Sequence, residues 1–237
     1  GFCAITDSGI GLEGTFMELS GGLFSTTFRF WTTLLYVLFL LLAVRLAYWR
    51  LLLNREQLHV FLGSCVVLIL LWQVRAQVDP TWSFHLLGIT AVTLMFGWSF
   101  AVVAGSIAEF AVSVNSTQNW ESFALNVFLV TLVPATLTQA MLLLVRRLLP
   151  KNFFIFVLIN AFFTAGLVAM VSGFLAVGLL LYSGARDWEY LQLDLVPLFP
   201  LMFLPEAVIN GWIVTLLVLY KPRWVLRFSD ELYLRGK

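Results

Sequence analysis

Charge is what this sequence has least of. Only 11% of its 237 residues are Asp, Glu, Lys or Arg, under half the roughly 25% of soluble domains. With 61% hydrophobic residues and a mean hydropathy of +0.94, water is excluded as the main solvent of the folded chain. A formal net charge of +1 leaves no basic field for nucleic acid. Cys3 and Cys65 are the two cysteines, and they have neither metal-ligand spacing nor the number that a disulfide framework needs. His59 and His85 are the two histidines, which excludes a self-contained His-rich metal centre. Walker loop, dinucleotide fingerprint, hydrolase triad and paired-His metalloprotease helix are all absent. The chain is therefore expected not to be an enzyme and to carry no intrinsic cofactor.

Apolar length is what is present. A crossing needs about 20 apolar residues, because the hydrocarbon layer is roughly 30 Å thick and a helix rises about 1.5 Å per residue. Phe30 to Trp49, Leu58 to Trp72 with an amphipathic turn to Val78, Phe123 to Val145, Phe153 to Tyr182 and Leu195 to Tyr220 all qualify. The 22 Phe and 9 Trp suit lipid-facing surfaces and interfacial belts. Residues 1–29 read as a Gly-rich, mildly acidic extramembrane lead-in without the parts of a signal peptide. Residues 30–220 read as the transmembrane helical domain, and 221–237 as a cytoplasmic tail.

His85 to Val114 does not fit one crossing, since as a single helix it would be roughly 45 Å long. A break is available at Phe96-Gly97-Trp98-Ser99, where glycine weakens the helix. Basic residues choose between the options, because they concentrate in short cytoplasmic loops. Two short segments in place of one put Arg45, Arg50 and Arg55, then Arg146, Arg147 and Lys151, then Lys221, Arg223, Arg227, Arg235 and Lys237 all on one side. The loops Asn115 to Ser122 and Ser183 to Asp194 then lie outside, with four acidic residues against Arg186. The expected fold is an all-α, polytopic membrane bundle of seven segments, the third and fourth short and surrounded by protein, N-out and C-in, in a bacterial inner membrane.

Ionisable groups at membrane depth are costly and so are functional hypotheses. His85 opens the third segment and reads either as a transition-metal ligand or as a helix cap bonding a neighbouring carbonyl. Glu206 and Asn210, four apart on one helix face beside Pro205, read either as a substrate path or as a helix junction, and Asn126 joins them as a candidate. For Asn126, Gln139 and Asn160 interhelical hydrogen bonds are the expected role. The small-residue rows Ala161, Ala165, Ala169 and Gly166, Met170, Gly173 point to close helix packing. His59 is expected to be interfacial.

The runs Phe84-His85-Leu86-Leu87-Gly88, Phe96-Gly97-Trp98, Ala124-Leu125-Asn126 and Pro205-Glu206-Ala207-Val208-Ile209 together resemble the cobalt/nickel permease family of energy-coupling-factor ABC transporters. The resemblance covers roughly Leu58 to Tyr220. His59-Val60-Phe61-Leu62-Gly63, Lys151-Asn152-Phe153-Phe154 and Lys221-Pro222-Arg223-Trp224-Val225 are similar to a proteobacterial branch of such permeases. The resemblance implies a membrane component that captures Co²⁺ or Ni²⁺ outside and works with a transmembrane coupling subunit and cytoplasmic ATPases. It implies a metal held by the N-terminal amine, a Met-His start and a histidine that opens a later segment. His85 matches the last of these, whereas this chain begins Gly1-Phe2-Cys3-Ala4, and Gly97-Trp98 stands where the family has Gly-Pro-Trp.

Two functions are expected from these features. One is a substrate-binding transport component for a divalent metal such as Co, Ni or Cu, or for another small solute. The other is an accessory or assembly subunit of a larger membrane complex, such as a monooxygenase or oxidase.

Overall fold

The computed structural model describes residues 24–74, 76–79, 82–115, 120–184 and 188–228. Most of the expected lead-in, residues 1–23, and the tail from residue 229 lie outside these, as do parts of both loops expected outside the membrane, at 116–119 and 185–187. Among the described residues seven helices form the bundle: α1 Thr26–Leu46, α2 Arg55–Gln73, α3 Ile89–Phe96, α4 Trp98–Asn115, α5 Phe123–Leu148, α6 Phe153–Ser183 and α7 Leu191–Tyr220. Five have the length and apolarity to cross a membrane. The third and fourth are the two shortest, at 8 and 18 residues.

Helix starts follow from local chemistry. Ser25 Oγ accepts the Phe28 N–H at 3.3 Å. Asn54 Oδ1 accepts from Glu56 at 2.9 Å and Gln57 at 3.4 Å, and Asn152 Oδ1 accepts from Phe154 at 2.9 Å. Each satisfies a donor that the first turn cannot pair internally. Turns of π-helix run through α5 at Phe128–Leu132 and through α6 at Phe156–Phe163.

Small residues set the closest helix approaches. A β-carbon on Gly166 would already touch Ala207, at 3.4 Å, so α6 lies close against α7. Gly105 of α4 likewise leaves room for the Thr131 side chain of α5, and Gly211 of α7 for the Phe162 ring of α6.

Two readings need correction. After α2 the chain does not continue as a helical turn to Val78: Ala76–Asp79 pairs antiparallel with Trp82–Phe84, because Val74 already leaves the helix with extended dihedrals. The third segment does not begin at His85 either. Gly88, at φ 67°, starts α3 at Ile89, and residues 85–88 form a non-helical lead-in.

The basic ends converge. Gln57 Nε2 donates to the Arg223 carbonyl at 3.0 Å, Trp224 Nε1 donates to Glu56 Oε1 at 2.7 Å, and Arg146 donates to the Arg227 carbonyl. The start of α2, the end of α5 and the stretch after α7 therefore share one end of the bundle.

Candidate functional site

An eight-residue helix leaves most of its backbone unpaired: the first four N–H and last four C=O groups have no partner within it. In α3 all eight residues are buried away from bulk water, and in hydrocarbon each orphan costs several kcal/mol. Neighbouring segments supply the partners at both ends.

At the N-terminal end the partner is α7. Glu206 Oε2 accepts the Leu87 N–H at 2.8 Å and Oε1 accepts the Gly88 N–H at 2.9 Å. Asn210 Oδ1 accepts the Ala91 N–H at 3.0 Å, while its amide donates to Glu206 Oε1 and to the Glu206 carbonyl, both at 2.8 Å. Both carboxyl oxygens accept hydrogen bonds here, and their lone pairs face the positive end of the helix dipole. Spacing by four is what lets Glu206 and Asn210 act together, since it puts both on the face of α7 that meets α3.

At the other end the partner is the stretch after α7. Leu226 donates its N–H to the Met95 carbonyl at 2.8 Å and Arg227 donates to the Leu94 carbonyl at 3.2 Å. Gly97 makes room. Its φ of 90° and ψ of 172° are essentially glycine-only, and any β-carbon there would collide with the Arg227 guanidinium. Burial, and then Arg146 beside it, hold that guanidinium below the usual arginine value. Two cationic side chains near the carbonyl end of α3 suit its dipole. Thr90 Oγ1 also meets Thr138 Oγ1 of α5 at 3.1 Å.

His85 lies at the mouth of this arrangement, 7% exposed. Its ring centroid is 5.6 Å from that of Trp72, and its Nδ1 is 3.3 Å from the Leu86 carbonyl oxygen. Trp72 is itself fixed, fully buried with Nε1 donating to the Leu87 carbonyl at 3.0 Å. The cap of α3 is therefore supplied by Glu206 and Asn210, not by His85. Among the described residues no three His, Cys, Asp or Glu side chains gather closely enough to hold a metal ion.

The structure brings His85, Glu206 and Asn210 to one lead-in and leaves Asn126 elsewhere, buried in the first turns of α5. Asn160 departs from expectation: it is fully buried in the π-turns of α6, and among the described residues neither side-chain polar atom has a hydrogen-bond partner. His59 is exposed at the basic end. Two contributors are not announced by the sequence. Leu226 and Arg227 act through backbone amides, which no side-chain pattern announces. Glu109, the one carboxylate in the apolar run from His85 to Val114, lies apart from them, buried in α4 beside Tyr36.

A multi-pass helical bundle enclosing a broken helix with protein-capped ends is the architecture of membrane transport proteins. Within that class the sequence is specific: residues 19–224 match the CbiM family, described as the cobalt uptake substrate-specific transmembrane region, and the chain belongs to that family. It is thus a multi-pass membrane protein of a family of substrate-specific transport components. Comparison with curated proteins and with solved structures gives no significant match.

Proposed function

We propose that this chain is the substrate-binding membrane subunit of an energy-coupling-factor transporter for a divalent transition-metal cation, Co²⁺ or Ni²⁺, with His85 as one ligand of the cargo. The observation that carries this reading is the family match over residues 19–224. The half-helix supports a cation over an anion. A bare helix N-terminus attracts negative groups, but here Glu206 already occupies the positive end of α3.

In this reading the chain sits N-out and C-in in a bacterial inner membrane, because the basic residues that share one end of the bundle belong on the cytoplasmic side. His85 then faces outward. The tautomer that carries its proton on Nδ1, toward the Leu86 carbonyl, is the one that leaves Nε2 to the cargo. Capture pulls on the 85–88 lead-in, whose Leu87 and Gly88 amides are clamped by Glu206. The strain reaches α7, and through α3 it reaches Leu226 and Arg227 at the cytoplasmic end, where a coupling subunit and ATPases dock. The chain performs no bond chemistry and carries no cofactor of its own.

The test is uptake of radioactive Co²⁺ and Ni²⁺ by cells that depend on this chain with its partner subunits. His85→Ala should cut uptake at least tenfold at unchanged membrane abundance. Flat binding titrations with Co²⁺, Ni²⁺, Cu²⁺ and Zn²⁺, or fixed-stoichiometry isolation with an oxidase in place of ATPases, would overturn the reading.

A further inference from the structure

A groove of about 470 Å³ runs between α2 and α7 along the flank of α3. Its shaft is apolar, walled by side chains such as Val67, Leu71, Val92 and Leu217, and it reaches Gly88, where Glu206 caps α3. Its mouth is polar and lies at the basic end of the bundle, formed by Glu56, His59 and Trp224. There Trp224 Nε1 donates to Glu56 at 2.7 Å, and Lys221 Nζ sits 5.8 Å from the Trp224 ring centroid. Lys221 lies over Trp224, and Arg55 and Arg223 adjoin the mouth residues Glu56 and Trp224 in the chain; all three are exposed, so among the described residues three basic side chains stand beside one carboxylate.

Dimensions decide what fits. From Glu56 to Leu71 the lining follows α2 for about 22 Å at 1.5 Å per residue. That matches one leaflet with its headgroups, half of the roughly 40–45 Å bilayer. A shaft of that length walled by apolar side chains accommodates one extended acyl chain. An apolar shaft below a cationic, tryptophan-bearing mouth is also the polarity profile of a phospholipid at the interface.

We infer that this groove seats one acyl chain of an anionic phospholipid, its phosphate at Lys221 and Arg223 and its tail along α3. The seat is a binding site apart from His85 and stands whether or not the chain carries metal. Its occupant lies against Ala91, Val92 and Met95 between α2 and α7.

The full-length protein in nanodiscs, with phosphatidylglycerol bearing a diazirine in its acyl chain, provides the test. Ala91, Val92 and Met95 line the groove, so photolabelling there reports an acyl chain inside it, and the headgroup and Gly63→Trp comparisons separate a seated lipid from bulk lipid. We expect labelling there, with at least fivefold less when the same probe carries a phosphatidylcholine headgroup. Lys221→Glu with Arg223→Glu should abolish that preference. A β-carbon on Gly63 meets nothing within 4 Å, so Gly63→Trp fills the shaft without crowding the backbone. It should lower α3 labelling at least tenfold while α1 labelling stays the same.

Absence of α3 label in the wild-type protein, or unchanged label in a folded Gly63→Trp variant, overturns the proposal. High-yield cross-linking of Gly63→Cys to another polypeptide in native membranes would assign the groove to a protein partner and overturn it too. Should Gly63→Trp fail to fold, the headgroup comparison on the wild-type chain decides alone.

Discussion

Helices α1 and α3 show two ways of keeping a backbone out of water. In α1 only Tyr36 and Ala43 of 21 residues are buried. It is long, it pairs its own amides, and lipid covers its side chains as well as protein would. In α3 all eight residues are buried, and the helix is too short to satisfy itself. Its stability resides in groups from α7 and from the stretch after it. A lipid-facing helix thus depends on its composition, and a broken inner helix depends on its caps.

That contrast can be broken at the caps. Glu206→Ala strands the Leu87 and Gly88 amides and frees the Asn210 amide, so it should lose about 3–5 kcal/mol, at 1–3 kcal/mol per buried orphan. Denaturant titration of the purified protein measures it, and a loss under 1 kcal/mol would show that other groups cap α3. Gly97→Val forces a β-branched residue into a glycine-only conformation and displaces the Arg227 guanidinium. A cost of about 3 kcal/mol is expected, together with faster amide exchange at Leu226 and Arg227.

Smaller changes sharpen the same contrast. Asn210→Leu removes the acceptor for Ala91 and one donor to Glu206, for about 2 kcal/mol. Arg146→Leu releases the Arg227 carbonyl and should cost about 1 kcal/mol, read best as exchange after α7 with α1 unaffected. Leu38→Ala on the lipid-exposed side of α1 should change stability by less than about 0.5 kcal/mol. A larger effect there would mean that α1 is covered by protein and not by lipid.

Much of the bundle is legible from composition, because hydrocarbon permits few solutions: apolar stretches of sufficient length become helices that satisfy their own backbones. The break at Gly97 was legible too, since an overlong apolar run had to bend and one glycine stood where it could. The start of α3 was not, because it depends on the left-handed Gly88 and on amides claimed by a carboxylate 118 residues away. Asn160 misled for the converse reason: an intramembrane amide suggests a partner, and tertiary packing supplied none.

By itself the sequence determined that oil surrounds this chain, where it can cross, and which residues are too polar to be there without cause. Only the tertiary structure decided that Glu206 and Asn210 hold the end of a half-helix, that His85 stands at its mouth against Trp72, and that the stretch after α7 closes the other end. The physical reason is range. Hydrophobic length acts along a few turns of one helix, while capping a buried helix joins groups that folding alone brings together.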